Sequence, residues 1–393
     1  VTTNAVTTNA VTTNAVTTNA VTTNAVTNIL LVEPYYSGSH RSWADGWVAN
    51  SRHNIGLVTH EAEFWRWRMR GGAVTLAEDA LAWVGDHGVP DLLVVSDMID
   101  LAGFLGYTRR VLGHVPVVLY MHENQLLYPL GPTQQPDEGF SLINWRAMVA
   151  ADAIWFNSAF QRDGLFEVLP KFLNHQADHK HTHLIDTVTQ ASSVHPVGVD
   201  TASLIDAGRG APGPAPLVLW NQRWDHDKNP SAVFQALVQL ADAGVPFTFA
   251  LAGENQRVDP QEFDRVQNDL GDRVVHVGHL PRCDYRSLLL RSDVVVSAAN
   301  HEFFGISVVE AIAAGAVPVL PNRLSYPEVV PREWHPGSIY PDGGLRVRLE
   351  QVLLNLDAAR ADLGGLRESM RQYDWSVIAP RYDDAVDEVL SRA

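Results

Sequence analysis

From Asn28 onward the apolar residues fall into two alternating patterns. One is a short unbroken run; the other returns an apolar residue every three or four positions. Ile29-Leu30-Leu31-Val32 is the first run, followed by Asn54 to His60, Asp91 to Ser96, Val115 to Met121 and Asp152 to Asn157. A run of this length bounded by polar residues suits a strand buried on both faces. Between the runs lie helical stretches such as Arg41 to Asn50, which sets Trp43, Trp47 and Val48 on one side. A second series begins at Leu217-Val218-Leu219-Trp220 and continues at Phe247 to Ala252, Val274 to Val277, Val294 to Ser297 and Val317 to Leu320. Alternating strands and helices predict an α/β fold with mostly parallel, doubly wound sheets. Two such series predict two Rossmann-like domains facing each other, with ligands at the carboxyl ends of the strands in the cleft between them.

The segment Gly208 to Pro216 holds three glycines and three prolines in nine residues and reads as the linker. The expected division is 28–207 for the first domain, 217–369 for the second and 370–393 for a closing helix. Before Asn28 the chain is five copies of Val-Thr-Thr-Asn-Ala and the start of a sixth. That unit carries too little apolar surface to build a core, so 1–27 reads as a disordered low-complexity tail. The stretch from Lys171 to Ser193 reads as polar and irregular.

The formal net charge of −16 argues against broad non-specific nucleic-acid binding but leaves room for a local basic patch. No run of 18 or more apolar residues suggests a membrane span. Cys283 is the single cysteine, which rules out an intramolecular disulfide and points to the cytoplasm. Cys283 itself is expected to be structural or neutral.

Two segments of the second series carry chemistry. In Asn300-His301-Glu302-Phe303-Phe304-Gly305-Ile306-Ser307-Val308-Val309-Glu310-Ala311, two glutamates are separated by seven residues. Glu302 falls in a loop and Glu310 inside a helix starting near Gly305. The free N–H groups of that helix start suit a phosphate, and the glutamates suit sugar and ribose hydroxyls. The alternative is a solvated loop glutamate and a capping interaction. The other segment is Trp220-Asn221-Gln222-Arg223-Trp224-Asp225-His226-Asp227-Lys228-Asn229-Pro230. Arg223 and Lys228 aimed into the cleft would stabilise a diphosphate leaving group; pairing with Asp225 and Asp227 at the surface is the alternative. Asp225-His226-Asp227 has the form of a metal-binding Asp-x-Asp but lies inside this basic segment. His175, His179, His181 and His183 lack the spacing of a zinc site. No metal is therefore expected.

Together these segments resemble the family-four retaining glycosyltransferases of the GT-B fold. That resemblance assigns diphosphate binding to Arg223 and Lys228. It assigns donor contacts to Glu302, Phe303, Gly305, Ile306, Ser307 and Glu310. Tyr373-Asp374-Trp375-Ser376 is similar to the family's closing segment, whose helix crosses back to the first domain. The first half is more specific. Val32-Glu33-Pro34-Tyr35-Tyr36-Ser37-Gly38-Ser39-His40, Phe64 to Arg68, Tyr120 to Pro129 and Phe156-Asn157-Ser158 resemble the tRNA-queuosine mannosyltransferases. The resemblance runs from about Asn28 to the C-terminus and is weakest between Phe172 and Ser193 and in the linker. It implies a donor of GDP-mannose, an acceptor of queuosine in tRNA, retention of configuration, and neither cofactor nor protein nucleophile. It also implies that His122 contacts the donor sugar and that Gly38 lies in the loop near the diphosphate. Glu123 is a candidate for orienting His122 or the acceptor.

In Phe64-Trp65-Arg66-Trp67-Arg68-Met69-Arg70, aromatic residues alternate with arginines. Arginine pairs with phosphate and tryptophan stacks on bases, so Trp65, Arg66, Trp67 and Arg68 are candidates for an RNA-facing patch. The same alternation fits an amphipathic strand with its tryptophans inward. Two other functions remain open at this level. One is a family-four transferase acting on a lipid, glycan or small molecule. The other is a non-catalytic tRNA- or sugar-binding protein.

Overall fold

The computed structural model describes residues 25–129, 137–253 and 260–393. The repetitive tail up to residue 24 lies outside the described residues. Structure begins slightly before Asn28: Thr27 is buried, and its N–H donates to His53 Nδ1 at 3.2 Å.

The chain forms two six-stranded sheets. The first contains β1 (Asn28–Tyr36), β2 (Asn54–Glu61), β3 (Leu92–Ser96), β4 (Val117–Met121), β5 (Ala153–Phe156) and β6 (Ser192–Val194), in the order β2-β1-β3-β4-β5-β6. The second contains β7 (Leu217–Trp220), β8 (Thr248–Ala252), β9 (Val274–Gly278), β10 (Val294–Val296), β11 (Val317–Pro321) and β12 (Ile339–Tyr340), in the order β12-β11-β10-β7-β8-β9. Every pairing is parallel. Burial on both faces explains the apolar runs: Ile29 to Val32, Leu92 to Val95 and Val294 to Val296 have no exposed surface.

The sequence reading misses two edge strands and overstates one side chain. β6 falls at the end of the stretch read as irregular; it is the polar, half-buried Ser192-Ser193-Val194. The rest of that stretch holds the end of the Ala159–Asn174 helix, a short turn of helix and the Ile185–Gln190 helix. β12 is only two residues long. In the Gly38–Asn50 helix Trp43 and Trp47 are buried, whereas Val48 is exposed because it turns away from both.

Strand order fixes where ligands can enter. β1 is paired to β2 on one side and β3 on the other, so the loops after β1 and β3 diverge. β7 lies likewise between β8 and β10. Crevices at such reversals are the usual binding sites of open α/β sheets. The ends of these four strands and the segments that follow them carry Glu33 to His40, Asp97, Asn221 to Lys228 and Ser297 to Gly305.

The two halves are tied by the Trp375–Arg392 helix. Trp43 Nε1 donates to the Tyr382 hydroxyl at 3.2 Å and Trp47 Nε1 to Asp383 at 3.0 Å. Trp375 rests against Gly46 and Gly198, where an added Cβ would come within 2.1 and 2.3 Å of its ring. One apolar core runs through both sheets by way of Trp43, Trp155, Trp375 and Tyr382. Elsewhere the backbone N–H groups opening the Ala159–Asn174 helix donate to Glu328 of the second half at 2.9 and 3.0 Å, an acid placed at a helix N-terminus. Among the described residues no helix is long and apolar enough to cross a membrane.

Candidate active site

The second-half segment folds as a turn because Asp225 caps a short 3-10 helix, His226–Lys228, by accepting from the His226 N–H. That turn buries Lys228 rather than leaving it solvated. Its ammonium donates to the His301 carbonyl at 2.8 Å and lies 3.1 Å from Asp227 and 3.3 Å from Glu302. Burial pushes the Asp227 carboxyl up, yet Lys228, the His301 imidazole 3.8 Å away and the Arg223 charge together hold it well below the usual range. Lys228 pairs with Asp227, as one sequence alternative allowed, but the pair is buried in the cleft. Arg223 is exposed as a residue, and its guanidinium lies in the field of Tyr128 and of the Asp227 and Glu123 carboxylates, which outweighs burial and raises its pKa.

Gly305 precedes the Ile306–Ala314 helix with φ +97°, a backbone shape that favours glycine. The first backbone bonds of this helix come from Val308 and Val309 to the Gly305 carbonyl, so the N–H groups of Ile306 and Ser307 have no acceptor within the helix. Phe303 packs against Phe160 of the first half, with ring centres 6.3 Å apart. Glu310 is held separately: the Tyr285 hydroxyl donates to it at 3.1 Å and accepts from Asn221 at 2.9 Å. Burial raises the Glu310 pKa, with Tyr285 opposing. Asn221 also donates to the Ser307 carbonyl at 2.8 Å, coupling this network to the helix start.

Across the cleft His122 is fixed by its backbone. Its N–H donates to Asp97 at 2.8 Å, and its carbonyl accepts from Asn157 at 2.8 Å. Its ring is boxed by His40, Trp43 and Tyr120, with centroids at 4.0, 4.7 and 4.7 Å. Glu33 lies fully buried at the end of β1 and accepts from His40 Nδ1 at 3.1 Å. Burial works against a charge on His40, but Glu33 beside it prevails and raises the His40 pKa to about 9. Burial, then the His40 charge, holds His122 well below the ordinary histidine value. Burial likewise lifts Asp97 to about 8. The candidate Glu123 is half-buried and accepts from Gln125 at 2.7 Å; its charge acts on both His40 and Arg223, so it stands between the two sides. Gly38 opens the first helix at φ +48° with nothing within 4 Å of where a Cβ would lie.

Since the His40 pKa is raised on folding, the pair with Glu33 contributes stability that is complete below pH ~6.5 and lost as the pH rises through about 9. Wild type is therefore expected to lose stability to denaturant between those limits, and His40→Asn to lose less. Parallel urea titrations across that window check this.

Glu33, His40 and His122 have ligand atoms within 4.8 Å of one another, the spacing of a metal site. The two imidazole rings are tilted by 34° with centroids 4.0 Å apart, and His40 Nδ1 is engaged by Glu33 at 3.1 Å. The His179 side chain is 91% exposed, and His181 accepts from Trp145 Nε1 at 3.3 Å. Cys283 is exposed.

The basic–aromatic segment is not a strand. Trp65 begins a helix that runs to His87, and Phe64 before it is left-handed at φ +49°. Trp65 packs on Phe140, while Phe64 and Trp67 are 75% and 63% exposed. Arg66 covers the Trp65 ring at 5.3 Å, and Arg68 donates to the Glu61 carbonyl at 3.3 Å. Met69, Met98, Phe140 and Ile143 form a small cluster that also takes in Trp65 and Tyr35. Tyr35 lies at the end of β1 and Met98 follows Asp97, so the segment sits on the lip of the cleft.

Asp227, His301, Tyr128, Tyr285, Asn221, Glu33 and His40 join the site without having been assigned roles from sequence. Six of them lie inside the segments already singled out, and Asp227 was there read as a surface partner. Glu33 and His40 stand in the opening segment, where nothing distinguished them. Tyr285 has no sequence signal, because it reaches Glu310 only through the fold.

Residues 28–199 match the family model described as "tRNA-queuosine alpha-mannosyltransferase N-terminal", and residues 204–355 match "Glycosyl transferases group 1". A tRNA-queuosine alpha-mannosyltransferase of Drosophila melanogaster is 32% identical over 315 residues, covering 78% of this chain and 82% of the relative. The chain belongs to the tRNA-queuosine α-mannosyltransferase family. It is a glycosyltransferase, and the matching solved structures share its GT-B fold. Sucrose-phosphate synthase from Thermosynechococcus elongatus superposes with a TM-score of 0.71 at 17% identity, over 93% of this chain and 100% of that one. The catalytic domain of starch synthase IV from Arabidopsis thaliana gives 0.66 at 12% identity, over 94% and 99%. Within this family member the first matched region carries His122 and the Trp65–Arg68 patch, and the second carries Arg223, Lys228, Glu302 and Glu310.

Proposed function

We propose that this glycosyltransferase moves mannose from GDP-mannose to queuosine in tRNA, with retention and without a catalytic metal. The observation that carries the reading is the convergence of Arg223, Lys228 and the free start of the Ile306–Ala314 helix on one side of a cleft whose opposite lip is basic and aromatic. The diphosphate would lie against those cations and N–H groups, with Phe303, Gly305, Ile306 and Ser307 around it. Glu302 and Glu310 would take hydroxyls of the sugar and ribose. His122 would face the sugar from the first half, with Gly38 and Glu123 near the diphosphate and acceptor. The acceptor oxygen bonds to the sugar's anomeric carbon as the bond to the phosphate breaks, and the departing phosphate oxygen takes the acceptor's proton. Charge developing on the leaving group is met by Arg223 and Lys228.

Radiolabelled GDP-mannose offered with queuosine-containing and queuosine-free tRNA, with and without a chelator, tests the donor, the acceptor and the metal independence, and the anomeric coupling of the product sugar by NMR tests retention. Label on the queuosine-containing tRNA alone, unaffected by chelation, is expected. Donor hydrolysis without labelled tRNA would remove the acceptor from the reading.

The lip makes its own prediction. Arg66 and Arg68 would meet RNA phosphates while exposed Trp67 and Phe64 stack on bases. The double variant R66E/R68E is expected to weaken tRNA binding roughly tenfold and to flatten its salt dependence by about one unit per lost phosphate contact. Filter binding at several salt concentrations measures both; an unchanged slope would place the RNA elsewhere.

A further inference from the structure

Two buried polar atoms at the floor of the cleft have no hydrogen-bond partner, and they face each other. Glu33 Oε1 is satisfied by the Tyr35 N–H at 2.8 Å and by His40 at 3.1 Å. Glu33 Oε2 has none. His122 Nε2 also has none and lies 3.8 Å from that oxygen. An unpaired carboxylate oxygen in a dry interior is costly, and the nearest group able to relieve it is an Nε2–H on His122. Closing the gap to hydrogen-bond length takes a movement of about 1 Å. Both groups belong to the first half, so a side-chain adjustment of this size within that half, rather than movement of one half against the other, closes it.

We propose that Glu33 is the positioning residue for His122: it takes the Nε2–H and leaves Nδ1 as the hydrogen-bond acceptor for a hydroxyl of the bound sugar or acceptor. A neutral imidazole carries one N–H, so a carboxylate that claims it on one nitrogen decides what the other offers. Stacking on His40 and the walls of Trp43 and Tyr120 stop the ring from turning to offer the other face. The charged or titratable groups around this imidazole are Glu33 on β1, His40 on the following helix, Asp97 after β3, Tyr120 on β4 and the adjacent Glu123. His40 is the cation among them. It disfavours a second proton on His122. The inference rests on the reading of His122 as a contact to the reacting sugar.

The test is a double-mutant cycle with GDP-mannose and queuosine-containing tRNA, using Glu33→Gln, His122→Gln and both together. Glu33→Gln is expected to lower kcat roughly ten- to hundredfold, with the donor KM changed less than about threefold. In the His122→Gln background it should cost little more, because there is then no tautomer to set. An equal loss in both backgrounds would mean that Glu33 acts independently of His122, and would overturn the proposal. A second measurement needs no Glu33 variant. Nitrogen-15 spectra of the histidine-labelled wild type bound to GDP, with His122 identified by its absence in His122→Gln, should show protonation at Nε2. Protonation at Nδ1 would equally overturn it. Unchanged transfer by His122→Gln would instead remove the role given to His122 above, while the spectra still decide which nitrogen Glu33 holds.

Discussion

Lys228→Ala is expected to lower kcat by roughly two to three orders of magnitude, the usual loss when one preorganised group facing a developing charge is removed. The reason lies in its surroundings. The side chain is 8% exposed, and its ammonium touches Asp227, Glu302 and the His301 carbonyl. In the free protein it neutralises two carboxylates. As a glycosidic bond to a diphosphate breaks, negative charge grows on the bridging oxygen, and a cation already fixed in place needs no reorganisation to meet it. Alanine removes that cation and also leaves Asp227 and Glu302 facing an incoming diphosphate without compensation, so donor KM should rise as well. Lys228→Met keeps the packing of the stem and should behave like alanine in kcat, which separates charge from volume. Single-turnover transfer, with thermal melts to establish folding, is the measurement. Turnover within about threefold of wild type would take Lys228 out of the chemistry and leave Arg223 and the helix start to hold the leaving group alone.

The same surroundings indicate what could be read beforehand. Strands buried on both faces announce themselves, because every residue of such a run must be apolar; Leu92 to Val95 and Val294 to Val296 are plain for that reason. Edge strands have no such constraint, and Ser192-Ser193-Val194 looks like loop until a neighbour pairs with it. Motifs are legible where one short loop carries several groups, as with Arg223 to Lys228 and Glu302 to Glu310. The sequence leaves open whether an acid beside a base is a surface pair or a buried one. That was settled by the 3-10 turn that carries Lys228 into the cleft. The contacts that remained hidden join distant segments: Tyr128 on His301, Tyr285 on Glu310 and Glu33 on His122. The Phe64–Arg70 alternation misled on form, since alternation has the period of a strand. The chain is helical there because Trp65 and Met69, four residues apart, both join the same small cluster.

Asp383→Ala is expected to destabilise the protein by about 3 kcal/mol and to uncouple the two halves. Asp383 is 2% exposed on the C-terminal helix. One oxygen accepts from Trp47 Nε1 at 3.0 Å and Ser51 Oγ at 2.7 Å, and the other from the Arg52 N–H at 2.8 Å. Alanine strands three donors at once, each worth about 1 kcal/mol or more when buried without a partner. The neighbouring pairs of Arg52 with Asp384 and Asp387 are more exposed and contribute less, so they do not rescue the contact. Asp383→Asn can still accept at one oxygen and should recover part of the loss. Function should follow the helix. The donor site is built from the second half, so GDP binding should survive in Asp383→Ala at low temperature. Transfer needs His122 and the acceptor lip of the first half held opposite, so it should fall further than GDP affinity. Urea unfolding, calorimetric GDP binding and transfer rates on the same preparations separate these effects. Equal losses of GDP affinity and transfer would mean that the helix serves the second half directly rather than holding the first half against it.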